Sequence, residues 1–206
     1  MTIGVLVSGR GSNLAAILDA GLPVALVISN RPGVRALGIA AAHGVPTLVL
    51  RRSDFEGDAD ARDGGIGAAL ARAGVTLTVL AGYDQRLRPP YFAAYAGRTI
   101  NIHPSLLPAH GGAGMLGLAV HASVLAAGEA ETGVTIHEVT EDLDAGPVLA
   151  QERVVVRPGD TAEELAARVL EVEHRLLVAT LRNLGAEAAA GAPRARMTAA
   201  DPPNEA

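Results

Sequence analysis

The run Asn101-Ile102-His103-Pro104-Ser105-Leu106-Leu107-Pro108 sets a carboxamide and an imidazole two residues apart at what reads as the end of a strand. Alternate residues of a strand share a face, so the two polar side chains are expected to point the same way. An imidazole can carry a proton near neutral pH, and a carboxamide N–H can meet an oxygen as it gains negative charge. Carbonyl chemistry needs both side by side. Pro104 disfavours helical geometry at His103 and cannot donate a ladder hydrogen bond, so the extended run 99–103 is expected to stop there and open into a loop. The plainer alternative is a half-buried strand end with satisfied polar groups, and the short pattern taken alone favours it.

A partner further along the chain shifts that balance. Asp144 lies in the acidic, turn-forming stretch Glu141-Asp142-Leu143-Asp144-Ala145-Gly146-Pro147. A carboxylate beside an imidazole favours the cation. The competing reading is a solvated hairpin loop with ordinary surface acids. Near the N-terminus, Gly9-Arg10-Gly11-Ser12-Asn13 falls between an apolar run and a helical pattern, where free backbone N–H groups and the positive end of a helix dipole can receive a phosphate. The alternative there is a tight turn with Ser12 as the N-cap. Leu14 stands where a dinucleotide fingerprint needs its third glycine, and no Gly-Lys-Ser/Thr ending marks a P-loop. Glu173 is expected at the flank of an apolar helical stripe, as an acceptor for hydroxyls or as a rim carboxylate. His110, His121 and His137 have no metal-ligand spacing, so no metal is expected; the latter two are read as helix and strand residues with local hydrogen bonds, His110 as a loop residue, and His174 has no evident role.

The elements that must position these residues alternate. Residues 3–7, 24–29, 46–50 and 75–81 read as strands, separated by helical patterns, and 99–103 follows a short helical piece after Pro89-Pro90. Such alternation predicts an α/β fold with right-handed crossovers and a mostly parallel sheet carrying helices on both faces. Beyond the glycine-rich loop 111–117 and one more helix, runs 134–139 and 148–156 read as an added antiparallel or mixed portion. Thr161 and Glu164 form a capping box for a long last helix whose stripe is Leu165, Val169, Val172, Leu176, Leu181 and Leu184, with Gly185 as its expected end. Residues 1–185 are expected to make one domain and 186–206 a flexible tail.

Composition agrees with this reading. Hydrophobic types make up 49% of the 206 residues and aromatics only 2%, so the core must be built from Ala, Val, Leu and Ile. The net charge of -5 gives no general attraction to nucleic acid. The absence of cysteine excludes disulfides, a thiol nucleophile and thiolate metal sites. No apolar run is long enough to span a bilayer and the first residues lack a basic leader, so no membrane partner and a cytoplasmic location are expected.

Taken in order, Ser8-Gly9-Arg10-Gly11-Ser12-Asn13, Leu80-Ala81-Gly82-Tyr83, Ala96-Gly97-Arg98, the run 101–108, Asp144-Ala145-Gly146-Pro147 and Glu173-His174 resemble the phosphoribosylglycinamide formyltransferases, a branch of the folate-dependent formyltransferase family. The resemblance spans roughly residues 1–184. The Asn-x-His and the downstream Asp are shared across the wider family, whereas the Gly-Ser-Asn loop resembles the glycinamide ribonucleotide branch in particular. The resemblance implies a Rossmann-like sheet with a C-terminal mixed strand and helix portion. It implies transfer of the formyl group of 10-formyltetrahydrofolate, a cosubstrate, to the amine of glycinamide ribonucleotide in purine synthesis, with no metal and only small molecules as substrates, in a monomer or homodimer. His103 would be the acid, Asn101 would bind the formyl oxygen, and Asp144 would hold and tune His103. Gly11, Ser12 and Asn13 would cradle the phosphate and Glu173 the ribose hydroxyls. The folate would lie against Asp84, Gln85, Arg86 and Leu87, Asn101 and the segment before Asp144, with Arg62 the guess for its tail.

Two departures stand out. The family commonly has Met-Arg-Ile/Leu-Leu where this chain has Asp84-Gln85-Arg86-Leu87, and the loop 110–117 is longer and richer in glycine than usual, as a mobile flap would be. A formyltetrahydrofolate hydrolase would use the same trio with water, but resembles this domain preceded by a regulatory module for which no room is expected. A methionyl-tRNA formyltransferase would want a further C-terminal domain. A noncatalytic phosphate-binding module would need the Gly11 loop but not Asn101, His103 and Asp144.

Overall fold

The computed structural model describes residues 1–191. Five strands, β1 (Ile3–Val7), β2 (Val24–Ser29), β3 (Thr47–Val49), β4 (Leu77–Leu80) and β5 (Arg98–His103), pair in parallel. They are connected by α1 (Ser12–Asp19), α2 (Arg35–Ala42), α3 (Ala59–Arg72) and α4 (Pro89–Ala94), with a 3-10 turn at Arg52–Phe55. After α5 (Leu118–Ala126), β6 (Glu131–Glu138) and β7 (Val148–Val155) add antiparallel, and α6 (Ala162–Ala189) closes the described chain. The seven-stranded sheet runs β3-β2-β1-β4-β5-β6-β7. The chain therefore leaves β1 in one direction and resumes at β4 on its other side. In open α/β sheets the crevice at such a reversal is where ligands bind.

One face of the sheet buries Leu14 and Ile17 of α1, Ala36 and Ala40 of α2, Val124 of α5, and Leu165, Val169, Leu177 and Leu181 of α6. The other buries Ile66 and Leu70 of α3 and gathers all three tyrosines, Tyr83, Tyr91 and Tyr95, around Leu6 and Ile28. The Tyr91 hydroxyl reaches Thr99 Oγ1 at 2.8 Å. The few aromatics are thus concentrated beneath α3 and α4, and aliphatics fill the rest.

The last helix departs from expectation at two points. Its capping box forms as predicted: Thr161 Oγ1 accepts the Glu164 N–H at 3.2 Å, and Glu164 Oε2 accepts the Thr161 N–H at 2.9 Å. Yet the helix does not end at Gly185. It continues to Ala189, so 186–189 are helical rather than tail, while 192–206 lie outside the described residues. The residue with the helix-ending left-handed φ, 67°, is Gly191. Its buried line also differs: Leu177, not Leu176, is fully buried, and Val172, Leu176 and Leu184 only flank the core. Leu165, Val169, Leu177 and Leu181 follow a four-residue row. The missing member of that row is position 173, which is a glutamate.

Candidate active site

A cleft of about 890 Å³ opens over the carboxyl ends of β1, β4 and β5. That volume lies within the usual range for small-molecule sites. Its walls are the loop after β1, the loop after β4, the end of β5 with Pro104, the glycine-rich loop before α5, the turn carrying Asp144, and the first turns of α6. Every residue put forward from the sequence as catalytic, phosphate-binding or folate-binding, with the exception of Arg62, lines this one cleft. The Arg62 side chain is 3% exposed and paired to Asp63 at 2.7 Å, so the guess for the folate tail falls on a buried ion pair.

At the base of the cleft, β5 ends on His103 and places it beside Asn101 along one face. The His103 ring is buried and its Nε2 donates to the His110 carbonyl at 2.9 Å. Its Nδ1 faces Asp144 Oδ2 at 3.9 Å, close enough to feel the charge but beyond a hydrogen bond. Asp144 Oδ2 also accepts the Gly112 backbone N–H at 2.8 Å, which joins the carboxylate to the glycine-rich loop. Asp144 has a φ of 53°, a conformation Asp and Asn tolerate better than other side chains.

His137 enters from the neighbouring strand. The antiparallel register pairs Asn101 with His137 directly. His137 Nδ1 lies 2.9 Å from the Glu138 carbonyl and therefore bears the proton, which leaves Nε2 to accept from Asn101 Nδ2 at 3.1 Å. This contact turns the Asn101 amide and leaves its second N–H free for a ligand. Burial drives His137 toward its neutral form, with the His103 charge adding to the effect against the Glu138 carbonyl and Asp144. His121 of α5 is likewise pushed toward neutrality, first by burial and then by His103, and its buried Nδ1 has no partner among the described residues. Both rings line the cleft, whereas the sequence reading gave them only local hydrogen bonds. The sequence offers no signal for the meeting of Asn101 and His137, because it needs the register of β5 on β6 as well as their adjacency.

At the other end of the cleft, α1 begins with Gly11 as N-cap at a φ of 76°, without a side-chain cap. Ser12 is the first helical residue rather than the cap, which corrects that alternative. A Cβ on Gly11 would come within 2.7 Å of Ala36 Cα, so glycine is required for both conformation and space. Asn13 Nδ2 donates to Glu173 Oε2 at 2.6 Å, and Asn13 Oδ1 is buried without a partner among the described residues. Burial raises the Glu173 pKa, against the Asn13 hydrogen bond and the charge of Arg10. Glu173 is therefore a carboxylate set into the buried row of α6 where that row passes beneath the cleft.

The loop after β4 is bound up by its own side chains. Asp84 is held by Ser8, Asn30 and Arg31; Gln85 Oε1 accepts from Arg62 at 3.3 Å; Arg86 donates to the Glu141 carbonyl; and Leu87 is buried. Opposite it, Leu116, Leu118 and Leu143 present exposed apolar surface at the mouth.

The turn that carries Asp144 rests directly on β6. A Cβ on Gly146 would overlap the Glu138 carbonyl oxygen and press on Thr140 Cγ2 at 3.3 Å. Gly146→Ala is expected to lift this turn and destabilise the fold by about 1–3 kcal/mol, the usual cost of overpacking, as measured by urea denaturation.

Among the described residues no group of three or more His, Cys, Asp or Glu is placed to hold a metal ion, and no helix is long and apolar enough to cross a membrane. The family model described as formyl transferase matches residues 1–181. The chain is 38% identical over 182 residues to the phosphoribosylglycinamide formyltransferase of Escherichia coli, covering 85% of this chain and 83% of that protein. It is 39% identical over 186 residues to the chicken trifunctional purine biosynthetic protein adenosine-3, covering 87% of this chain but only 18% of that much longer protein. Among solved structures, the glycinamide ribonucleotide transformylase 1 of Symbiobacterium toebii superposes with a TM-score of 0.84 at 38% identity, covering 90% of this chain and 88% of the other.

Proposed function

This chain belongs to the formyl transferase family, and on that footing we propose that it transfers the formyl group of 10-formyltetrahydrofolate to the amine of N1-(5-phosphoribosyl)glycinamide. The products are formylglycinamide ribonucleotide and tetrahydrofolate, in de novo purine synthesis. The observation that carries this reading is the convergence of Asn101, His103 and Asp144 in one cleft whose far end is the uncapped start of α1.

The contacts of Asn101 and His103 support the roles proposed for them. Asn101 holds its amide on His137 and directs the remaining N–H at the formyl oxygen as the amine attacks and the carbonyl carbon becomes tetrahedral. His103, held through Nε2–H on the His110 carbonyl with Nδ1 turned to Asp144, acts as the acid beside the developing oxyanion. The new bond joins the glycinamide nitrogen to the formyl carbon. The bond from that carbon to N10 of the folate breaks, N10 gains a proton and the amine loses one. The α1 N-terminus with Gly11, Ser12 and Asn13 takes the phosphate, and Glu173 the ribose hydroxyls. The donor lies along residues 84–87, where the side chains are already engaged, so its contacts there fall to backbone groups. The same reading makes this a cytoplasmic enzyme of free small molecules.

The test supplies acceptor and donor separately and together. Formylglycinamide ribonucleotide is expected only when both are present. Turnover of donor with water alone would support the hydrolase, and ribonucleotide binding without turnover would support a noncatalytic phosphate-binding module. Ser12→Ala with Asn13→Ala should raise KM for the ribonucleotide roughly tenfold or more through lost hydrogen bonds, with little change for the donor. Equal weakening of both would count against the phosphate assignment.

A further inference from the structure

Asp84 stands at the reversal of the sheet, in the loop that follows β4, and its carboxylate is bound from the ends of two neighbouring strands, β1 and β2. Oδ1 accepts from Ser8 Oγ at 2.9 Å and from Asn30 Nδ2 at 2.7 Å, and Oδ2 pairs with Arg31. The Asp84 backbone N–H in turn donates to Ser8 Oγ at 3.0 Å. Ser8 and Asn30 follow β1 and β2 directly, and those strands flank one another beside β4. Ser8 immediately precedes the 9–13 loop; Asp84 sits within the opposite wall of the same cleft.

The Asp84 side chain is only 12% exposed. Burial acts to raise its pKa, but hydrogen bonds from Asn30, Ser8 and Gln85 and the charge of Arg31 outweigh that and hold it below the usual carboxylate value. A carboxylate so fully engaged has little capacity left for a ligand. The methionine common in the family at this place could make none of these bonds.

We propose that Asp84 is a positioning residue that fastens the acceptor-side loop to the donor-side loop and thereby sets the distance between the two bound substrates. This rests on the formyl-transfer reading for its catalytic consequence, though not for the fastening itself. On this proposal each loop still binds its own substrate without Asp84, though both loops are held less firmly. What changes is the alignment of amine and formyl carbon, and a small misplacement between reacting groups is costly in rate.

The experiment compares wild type with Asp84→Ala, Ser8→Ala and the double variant, below their melting temperatures. In Asp84→Ala, kcat should fall roughly tenfold or more while the dissociation constant of each substrate alone changes less than about threefold. The double variant should lose little beyond the larger single loss, because both substitutions break the same link. A kcat within about twofold of wild type would overturn the proposal, and so would a loss confined to donor affinity, which would make Asp84 a direct donor ligand. Amide hydrogen exchange on the unliganded protein reads the fastening without any reaction: residues 9–13 and 82–87 should both exchange about tenfold faster or more in Asp84→Ala. Unchanged exchange at 9–13 would sink the proposal. Wild type that shows the exchange difference but no formyl transfer would refute the function while leaving the fastening in place.

Discussion

His103→Ala should lower kcat by about 10²- to 10⁴-fold, the range over which a positioned acid or base contributes. His103 combines a buried ring, a hydrogen bond that holds Nε2 and a carboxylate 3.9 Å from Nδ1. Alanine removes the proton carrier and also takes from the His110 carbonyl its shorter hydrogen bond, leaving only Ser105 Oγ at 3.4 Å, which costs about 1 kcal/mol of stability. The loss of rate must therefore be separated from loss of fold. His103→Asn makes the separation, since its amide N–H can approach the same carbonyl while it cannot act as an acid near neutral pH. Both variants are expected to melt cooperatively and to show the same collapse of kcat. Near-normal turnover in either, measured with both substrates saturating, would remove His103 from the chemistry.

Asn101→Ala should cost about 10²- to 10³-fold in kcat with KM for each substrate little changed, as expected when one donor to a developing oxyanion is removed. One N–H of Asn101 is spent on His137 and only fixes the amide, while the other is available where charge develops. A ground-state carbonyl gains little from that donor, so the interaction grows in the transition state and appears in kcat. His137→Ala frees the amide to rotate without deleting it, so its effect should be smaller than that of Asn101→Ala. Steady-state kinetics on the two variants decide the matter. A loss lying wholly in KM would move Asn101 from the chemistry to substrate binding.

Much of this arrangement was legible in the chain itself because its signals are local. Apolar runs alternating with helical spacing predicted the α/β order, Pro104 marked the end of β5 at His103, and Thr161 with Glu164 marked the start of α6. Other features needed distances that no local pattern encodes. Helical spacing alone puts Glu173 at the flank of the stripe, yet it completes the row Leu165, Val169, Leu177 and Leu181, which is set by how α6 docks on the sheet. Gly185 has the residue type of a helix end, but the left-handed turn falls at Gly191.

What the sequence determined by itself was which residue types stand at each strand end and which side chains share a face, since both follow from backbone periodicity within a few residues. Which of them meet was decided by the tertiary structure. Strand order sets β1 against β4, antiparallel register sets His137 opposite Asn101, and a turn resting on β6 brings Asp144 to His103. Pairings of that kind depend on how distant segments pack, and a residue's immediate neighbours carry no record of them.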